Sequence, residues 1–417
     1  MPLFLLWPSL IVLGLHLYLW RRLVRDTRLP RRPRWSASLV LALLGASVPA
    51  TLAMYWMIGR TASRTMSALA FGWLGIVFYL VAVLLLWDVW QVARYVRKRW
   101  GGKRGEAPAA VREVSDAPAG VSPIAVAARA ALEPRETRRV FVARAVAGSA
   151  LVAAGGIGAF GVRSALWDIT MPEVPVALPR LPRALDGFTI ALMTDVHIGP
   201  LLDGRFLRQL AEQTNRAKPD LIAIAGDLVD GSVARIGPQV AELRRLNSRY
   251  GVAYVTGNHE YYTGANQWIH FLSELGLHVL LNERISVGDA HPRGAQFDIA
   301  GLPDFRAAHF GHIAADAQAA TLGRDPEREL VVLAHQPIQI RQISQIGAGL
   351  QLSGHTHGGQ LNPFGAVTLV AQPYIAGLHR HQASGTQVYV SRGTGFWGPP
   401  MRVLAPAEIT LLRLHSV

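Results

Sequence analysis

The chain has 417 residues, no cysteine and a formal charge of +14, which excludes disulfide staples and thiolate metal sites. Residues 1–179 hold 22 Lys and Arg against 9 Asp and Glu, whereas residues 180–417 hold 20 against 19. A nucleic-acid-binding protein carries its basic excess on a folded face, so a near-neutral second half argues against that class, and no nucleic-acid partner is expected.

Three uncharged apolar stretches come first: residues 3–20, 37–58 and 65–87, each long enough to cross a bilayer as a helix. Trp7, Trp20, Trp35, Trp87, Trp90 and Trp100 lie near their ends, as interfacial aromatics do. The first stretch lacks a basic leader, so a cleaved signal peptide is not expected. Seven Arg fall between Arg21 and Arg34, only Arg60 and Arg64 lie between the second and third stretches, and a basic run from Arg94 to Arg104 follows the third. The positive-inside rule then predicts an external N-terminus, with the first loop and the segment after Trp90 inside. Residues 1–92 are thus read as three transmembrane helices, and 93–138 as a basic, Pro-, Ala- and Gly-rich cytoplasmic linker.

Residues 139–163 contain a fourth hydrophobic segment, uncharged from 145 to 162, preceded by Thr137-Arg138-Arg139-Val140-Phe141-Val142. This reads equally as a fourth transmembrane helix or as a twin-arginine-like export signal. Either reading predicts an integral membrane protein, of the cell inner membrane, with its C-terminal domain on the extracytoplasmic side. A buried helix, leaving that domain in the cytoplasm, is the weaker alternative.

The C-terminal half, 181–417, alternates apolar runs with helical patterns. Strands are expected at 188–193, 221–225 and 252–255, followed by helices at 203–216, 237–250 and 265–275. Further strands are expected at 297–301, 330–334, 350–353, 366–370, 387–391 and 409–414. The rhythm indicates an α/β domain whose parallel strands end in loops along one edge, where such sheets hold ligands. Those loops read Asp195-Val196-His197, Gly226-Asp227-Leu228-Val229-Asp230, Gly257-Asn258-His259-Glu260, Leu333-Ala334-His335 and Gly354-His355-Thr356-His357. Carboxylate, amide oxygen and imidazole together suit a pair of borderline divalent ions.

Five motifs in this order resemble the calcineurin-like metallophosphoesterase family: D-x-H, G-D-x-x-D, G-N-H-[DE], a lone His, and G-H-x-H. The closest flavour is its membrane-associated bacterial branch, similar to UDP-diacylglucosamine hydrolase-like phosphodiesterases. Gly231 stands where the protein-phosphatase version has Arg, which counts against a protein phosphatase. The resemblance implies a four-layer α/β/β/α sandwich, here preceded by the N-terminal transmembrane helices. It implies one metal on Asp195, His197 and His357, and a second on Asn258, His335 and His355, with Asp227 bridging. The ions would be manganese, iron or zinc, sharing a hydroxide that attacks a phosphate ester directly. It implies that His259 stabilises the developing charge and protonates the leaving group, with Asp230 orienting neighbouring groups.

Some readings stay open. Glu260 is either an orienter of His259 or an exposed acid; Tyr261 and Tyr262 are either an aromatic wall or ordinary packing. His379 and His381 are expected on an exposed loop. The stretch 393–402 is either a rigid loop contacting lipid or phosphate through Arg402, or a packed connection. The function expected is a membrane-anchored, dinuclear phosphoesterase, of phosphodiesterase or pyrophosphatase type, with the bilayer and a lipid- or nucleotide-linked phosphoester as partners. The alternative is a non-catalytic metal-binding scaffold or sensor on the same fold.

Overall fold

A computed structural model describes residues 3–57, 64–100, 123–291, 294–363 and 365–417. The chain divides into two compact units, Met1–Ala62 with Leu69–Gly158, and Ser63–Ala68 with Ala159–Val417. The first contains helices α1 (Leu3–Trp20), α2 (Arg31–Met57), most of α3 (Arg64–Trp100) and most of α4 (Pro123–Leu166). Among the described residues, Arg31–Met54, Arg64–Trp100 and Arg138–Leu166 are long and apolar enough to cross a membrane. Two pairings of polar groups lie inside this unit: the Trp73 indole donates to His16 Nε2 at 2.8 Å and Tyr18 to Asp88 at 2.8 Å.

Helix α3 continues to Trp100, and α4 starts at Pro123, so both ends of the expected linker are helical. The Ala, Arg and Glu of the charged flanks are good helix formers. The middle of that linker, 101–122, and Arg60 lie outside the described residues.

The second unit is built on two six-stranded sheets. In chain order the strands are β1 (Glu173–Leu178), β2 (Thr189–Met193), β3 (Leu221–Ala225), β4 (Val252–Val255), β5 (His278–Val279), β6 (Glu283–Gly288), β7 (Gln296–Gly301), β8 (Leu330–Leu333), β9 (Leu350–Ser353), β10 (Gly377–Arg380), β11 (Gln387–Val390) and β12 (Thr410–Ser416). One sheet runs β1-β12-β2-β3-β4-β5 and the other β10-β11-β9-β8-β7-β6. Pairings β2–β3–β4 and β7–β8–β9–β11 are parallel, so their C-terminal ends share an edge within each sheet.

Strand periodicity explains the layers. In β3, Leu221, Ala223 and Ala225 join the core between the sheets with Ile190, Leu192, Phe297, Val331 and Leu352. Ile222 and Ile224 point the other way, to Leu207, Leu210, Trp268 and Leu272. Leu207 and Leu210 lie on α5 (Gly204–Arg216), Trp268 and Leu272 on α8 (Ala265–Glu274), which follows the short α7 (Asn258–Thr263), and α6 (Val233–Val240) adds Ile236 and Val240 to the same cluster. Short helices at Ala317–Ala320 and Ile340–Ile343 cover the outer face of the second sheet. The result is the expected four-layer α/β/β/α arrangement.

Two expected elements need correction. The helix read at 237–250 begins earlier, at Val233 after Ser232, and gives way to a 3-10 turn at Ala241–Arg245. Pro238, its sixth residue, lacks the N–H that would bond Ala234 O, and the helix gives way within three residues of it. The strand read at 366–370 is instead a helical turn, Gly365–Thr368. Four apolar residues and Thr368 make a run too short to fix either period.

Candidate metal centre

Strands β2, β3, β4, β8 and β9 end at Met193, Ala225, Val255, Leu333 and Ser353, and a motif residue follows each within two or three positions. The loops then lock to one another. Asp195 N–H donates to Gly226 O at 3.1 Å, His197 N–H to Asp227 O at 3.1 Å, and Gly354 N–H to His335 O at 2.9 Å. The turns are sharp enough to force Asp195, His197, Asp227, His355 and His357 into the left-handed backbone region, with φ of +53°, +53°, +49°, +69° and +52°. Half of the non-glycine residues with positive φ among those described are therefore these five, and such strain concentrates where side chains must be aimed.

Two triads of candidate ligand atoms result, Asp195 with His197 and His357, and Asp227 with His335 and His355. In the first, His357 Nε2 is 3.3 Å from Asp195 Oδ1 and 3.2 Å from His197 Nε2. In the second, His335 Nε2 is 3.1 Å from Asp227 Oδ2. The same Asp227 oxygen is 3.9 Å from His197 Nε2, so this carboxylate stands between the triads. The third candidate triad, His197, Asp230 and His259, is a hydrogen-bonded arrangement. One Asp230 oxygen lies 3.2 Å from His197 Nδ1 and 2.5 Å from His259 Nδ1, too close to admit an ion between them.

The donor set fits divalent metal ions. His335 donates from Nδ1 to Ala225 O at 2.8 Å, which turns Nε2, a fully buried atom without a hydrogen-bond partner, towards the Asp227 carboxylate. Asn258 donates its amide to Tyr262 Oη at 3.3 Å, which turns its Oδ1 inward, and that buried oxygen is likewise unpartnered. Burial, then the neighbouring His335, holds His355 down to about 3, and burial with His197 and Arg402 beside it holds His357 well below its ordinary value. Both imidazoles are therefore neutral and free to donate lone pairs. Against the burial penalty, the surrounding imidazoles hold Asp227 well below the carboxylate range.

His259 sits over this centre with its ring 4.6 Å from that of His197. Burial opposes its protonation, yet the carboxylates of Asp227 and Asp230 lift it to about 9. Asp230 is itself held below the usual range, against burial, by His197 and His259. A single carboxylate thus hydrogen-bonds two imidazoles.

The open readings resolve as geometry. Glu260 is fully buried and accepts from the backbone N–H groups of Gly257, Asp227, Leu228 and Val229 at 2.6–3.3 Å. It holds the metal-site loops rather than His259 and is not an exposed acid. Tyr262 stacks edge-on to His259 at 5.1 Å and Trp397 does the same at 5.7 Å, so both line the mouth. Arg402 faces no open space: it is fully buried and donates to the carbonyls of Gly395, His357, Arg392 and Ala405. His379 lies on β10 and stacks on Tyr374 at 4.7 Å, away from the exposed loop expected for it. Sequence reasoning missed Asp304, a buried acid that accepts from Gln336 Nε2 at 2.9 Å beside His335. Its position in Pro303-Asp304-Phe305 carries no motif, and only its burial singles it out.

Residues 188–359 match the calcineurin-like phosphoesterase family. Over 243 residues, 58% of this chain and 63% of the relative, the sequence is 40% identical to an uncharacterized metallophosphoesterase of Helicobacter pylori. Over 282 residues, 65% of this chain and 94% of the relative, it is 30% identical to the uncharacterized metallophosphoesterase YkuE of Bacillus subtilis. Over 418 residues, 98% of this chain and 88% of the relative, it is 29% identical to a Danio rerio transmembrane protein with metallophosphoesterase domain. The chain belongs to the calcineurin-like metallophosphoesterase family. It matches slightly under two thirds of the length of the Helicobacter relative.

Proposed function

We propose that this protein is a membrane-anchored, metal-dependent phosphoesterase with a dinuclear centre, acting on phosphodiesters or pyrophosphates at the membrane surface. The observation that carries the reading is the pair of adjoining ligand triads with two buried, unpartnered donor atoms, Asn258 Oδ1 and His335 Nε2, aimed among them. Asp195, His197 and His357 would hold one ion, Asn258, His335 and His355 the other, and Asp227 would touch both. Bound there, manganese, iron or zinc would polarise the phosphoryl oxygens and supply a nucleophilic water near neutral pH.

The chain's own groups supply the rest. His259, kept protonated by Asp227 and Asp230, presents an N–H to the leaving oxygen and can give it a proton. Asp230 fixes that ring and the ring of His197 at once. Three apolar helices support anchoring, and the Danio rerio relative is named a transmembrane protein. The positive-inside pattern favours an inner-membrane protein with its catalytic unit outside the cytoplasm. The test uses the full chain in detergent, stripped with chelator and reloaded with manganese, iron or zinc. Bis-(p-nitrophenyl) phosphate should be cleaved faster than p-nitrophenyl phosphate, and only after reloading. Turnover that is indifferent to chelation would falsify the reading.

A further inference from the structure

The loops beside the metal centre carry an apolar surface that hydrolysis does not use. From residue 361 to 378 the chain has no Asp, Glu, Lys or Arg, and from 393 to 407 the only one is Arg402. Arg402 is fully buried, so it adds no charge to the surface. Val367, Leu369, Val370, Trp397 and Leu404 are all exposed, Val370 by 89% and Leu404 by 80%. The two segments adjoin, joined through residues 360–362 and 397–403. Leu361 bridges Val403, Asn362 N–H donates to Val403 O, and the Gln360 amide both accepts from Trp397 N–H and donates to Trp397 O. Adjoining large apolar groups with no charge among them mark a surface that something covers.

The same loops are fastened to the end of α4. Gly161 O accepts from Arg402 N–H at 2.8 Å, and a side chain at Gly161 would come within 3.0 Å of Val403 and 3.1 Å of Met401. The Arg402 guanidinium in turn holds the carbonyl of His357. One buried residue therefore ties the last turns of an apolar helical segment, Arg138–Leu166, to both the exposed face and the metal-site loop. Phe160 and Trp167 are exposed on the helix end itself, 56% and 68%. An apolar segment that crosses a bilayer brings its end, with such aromatics, to the headgroup layer.

We propose that the face formed by Val367, Leu369, Val370, Trp397 and Leu404 seats in the phospholipid surface of the bilayer that α4 crosses. The site would then take its phosphoester from that surface. This rests on the membrane-anchored phosphoesterase reading. Trp397, packed on His259, stands at the junction of the lipid-facing rim and the metal centre.

The chain lacks cysteine, so single cysteines report cleanly. Val370→Cys, Leu404→Cys and, as control, Leu322→Cys (81% exposed) would each carry a polarity-sensitive nitrobenzoxadiazole dye on the full chain. The chains go into phosphatidylcholine–phosphatidylglycerol vesicles with or without spin-labelled acyl chains. At 370 and 404 the emission should shift to the blue and fall at least about twofold with spin-labelled lipid, the behaviour of groups at the headgroup–acyl boundary. At 322 neither change should occur. Water-like emission at 370 and 404 overturns the proposal. So does a blue shift without lipid quenching, which means that another protein copy covers the face. Soluble-diester turnover in the same vesicles separates the two ideas: quenching without turnover removes the catalytic reading alone, and turnover without quenching removes the docking alone.

Discussion

The Glu260 carboxylate gathers four backbone N–H groups from two ligand-bearing loops inside a site closed to water. Removing one acceptor oxygen orphans buried donors, so Glu260→Gln should cost about 1–3 kcal/mol, read as a lower Tm. An unchanged Tm would mean that the loops hold without it. A second residue-scale effect is tied to pH. The folded-state pKa of His259 is about 9 against an ordinary 6.5, so its stabilising charge is complete below pH 6.5 and vanishes as pH rises through 9. In metal-free protein His259→Asn should therefore lower Tm at pH 6, by an amount on the order of 1–3 kcal/mol, and leave it nearly unchanged at pH 10. An equal loss at both pH values would assign His259 a packing role instead. The seven candidate ligands, Asp230 and His259 were all legible in the sequence, because motifs name donor types and order. Glu260 was not, since its partners are backbone groups that no side-chain pattern records.

At the scale of elements, the strands that position the site were read to within a residue because each is a short, mostly apolar run buried on both faces. Strands β1, β6 and β10 went unseen because their exposed positions break the apolar run. The strand-to-loop turns also depend on glycine in places where the sequence shows only the letter. Gly226, at φ +83°, has room for no Cβ: one would lie 2.6 Å from Gly257 N and 2.8 Å from His335 Nδ1. Backbone strain alone at such a position is about 1–3 kcal/mol. Gly226→Ala should therefore destabilise the chain and weaken its hold on metal together, measured by thermal melting and by metal content after gel filtration. Full metal content in a variant of unchanged Tm would contradict the tight-turn account.

For the whole molecule, charge separates function better than total composition does. The basic excess belongs to residues 1–179, and residues 180–417 are almost neutral. The N-terminal helices were legible from hydropathy alone, whereas the helical continuation of α4 through Arg138 was not, because charge and alanine read alike in linkers and helix ends. Everything proposed depends on metal at the convergence of Asp195, Asp227, His335 and His357. The most direct test measures metal content and diester turnover on the same full-length sample, for the wild type and for Asp227→Asn. About two ions per chain with turnover in the wild type, and loss of at least one ion with roughly a hundredfold or greater loss of turnover in the variant, is the predicted result. A wild-type chain that binds no divalent ion, or a variant that retains both ions and full turnover, would contradict it.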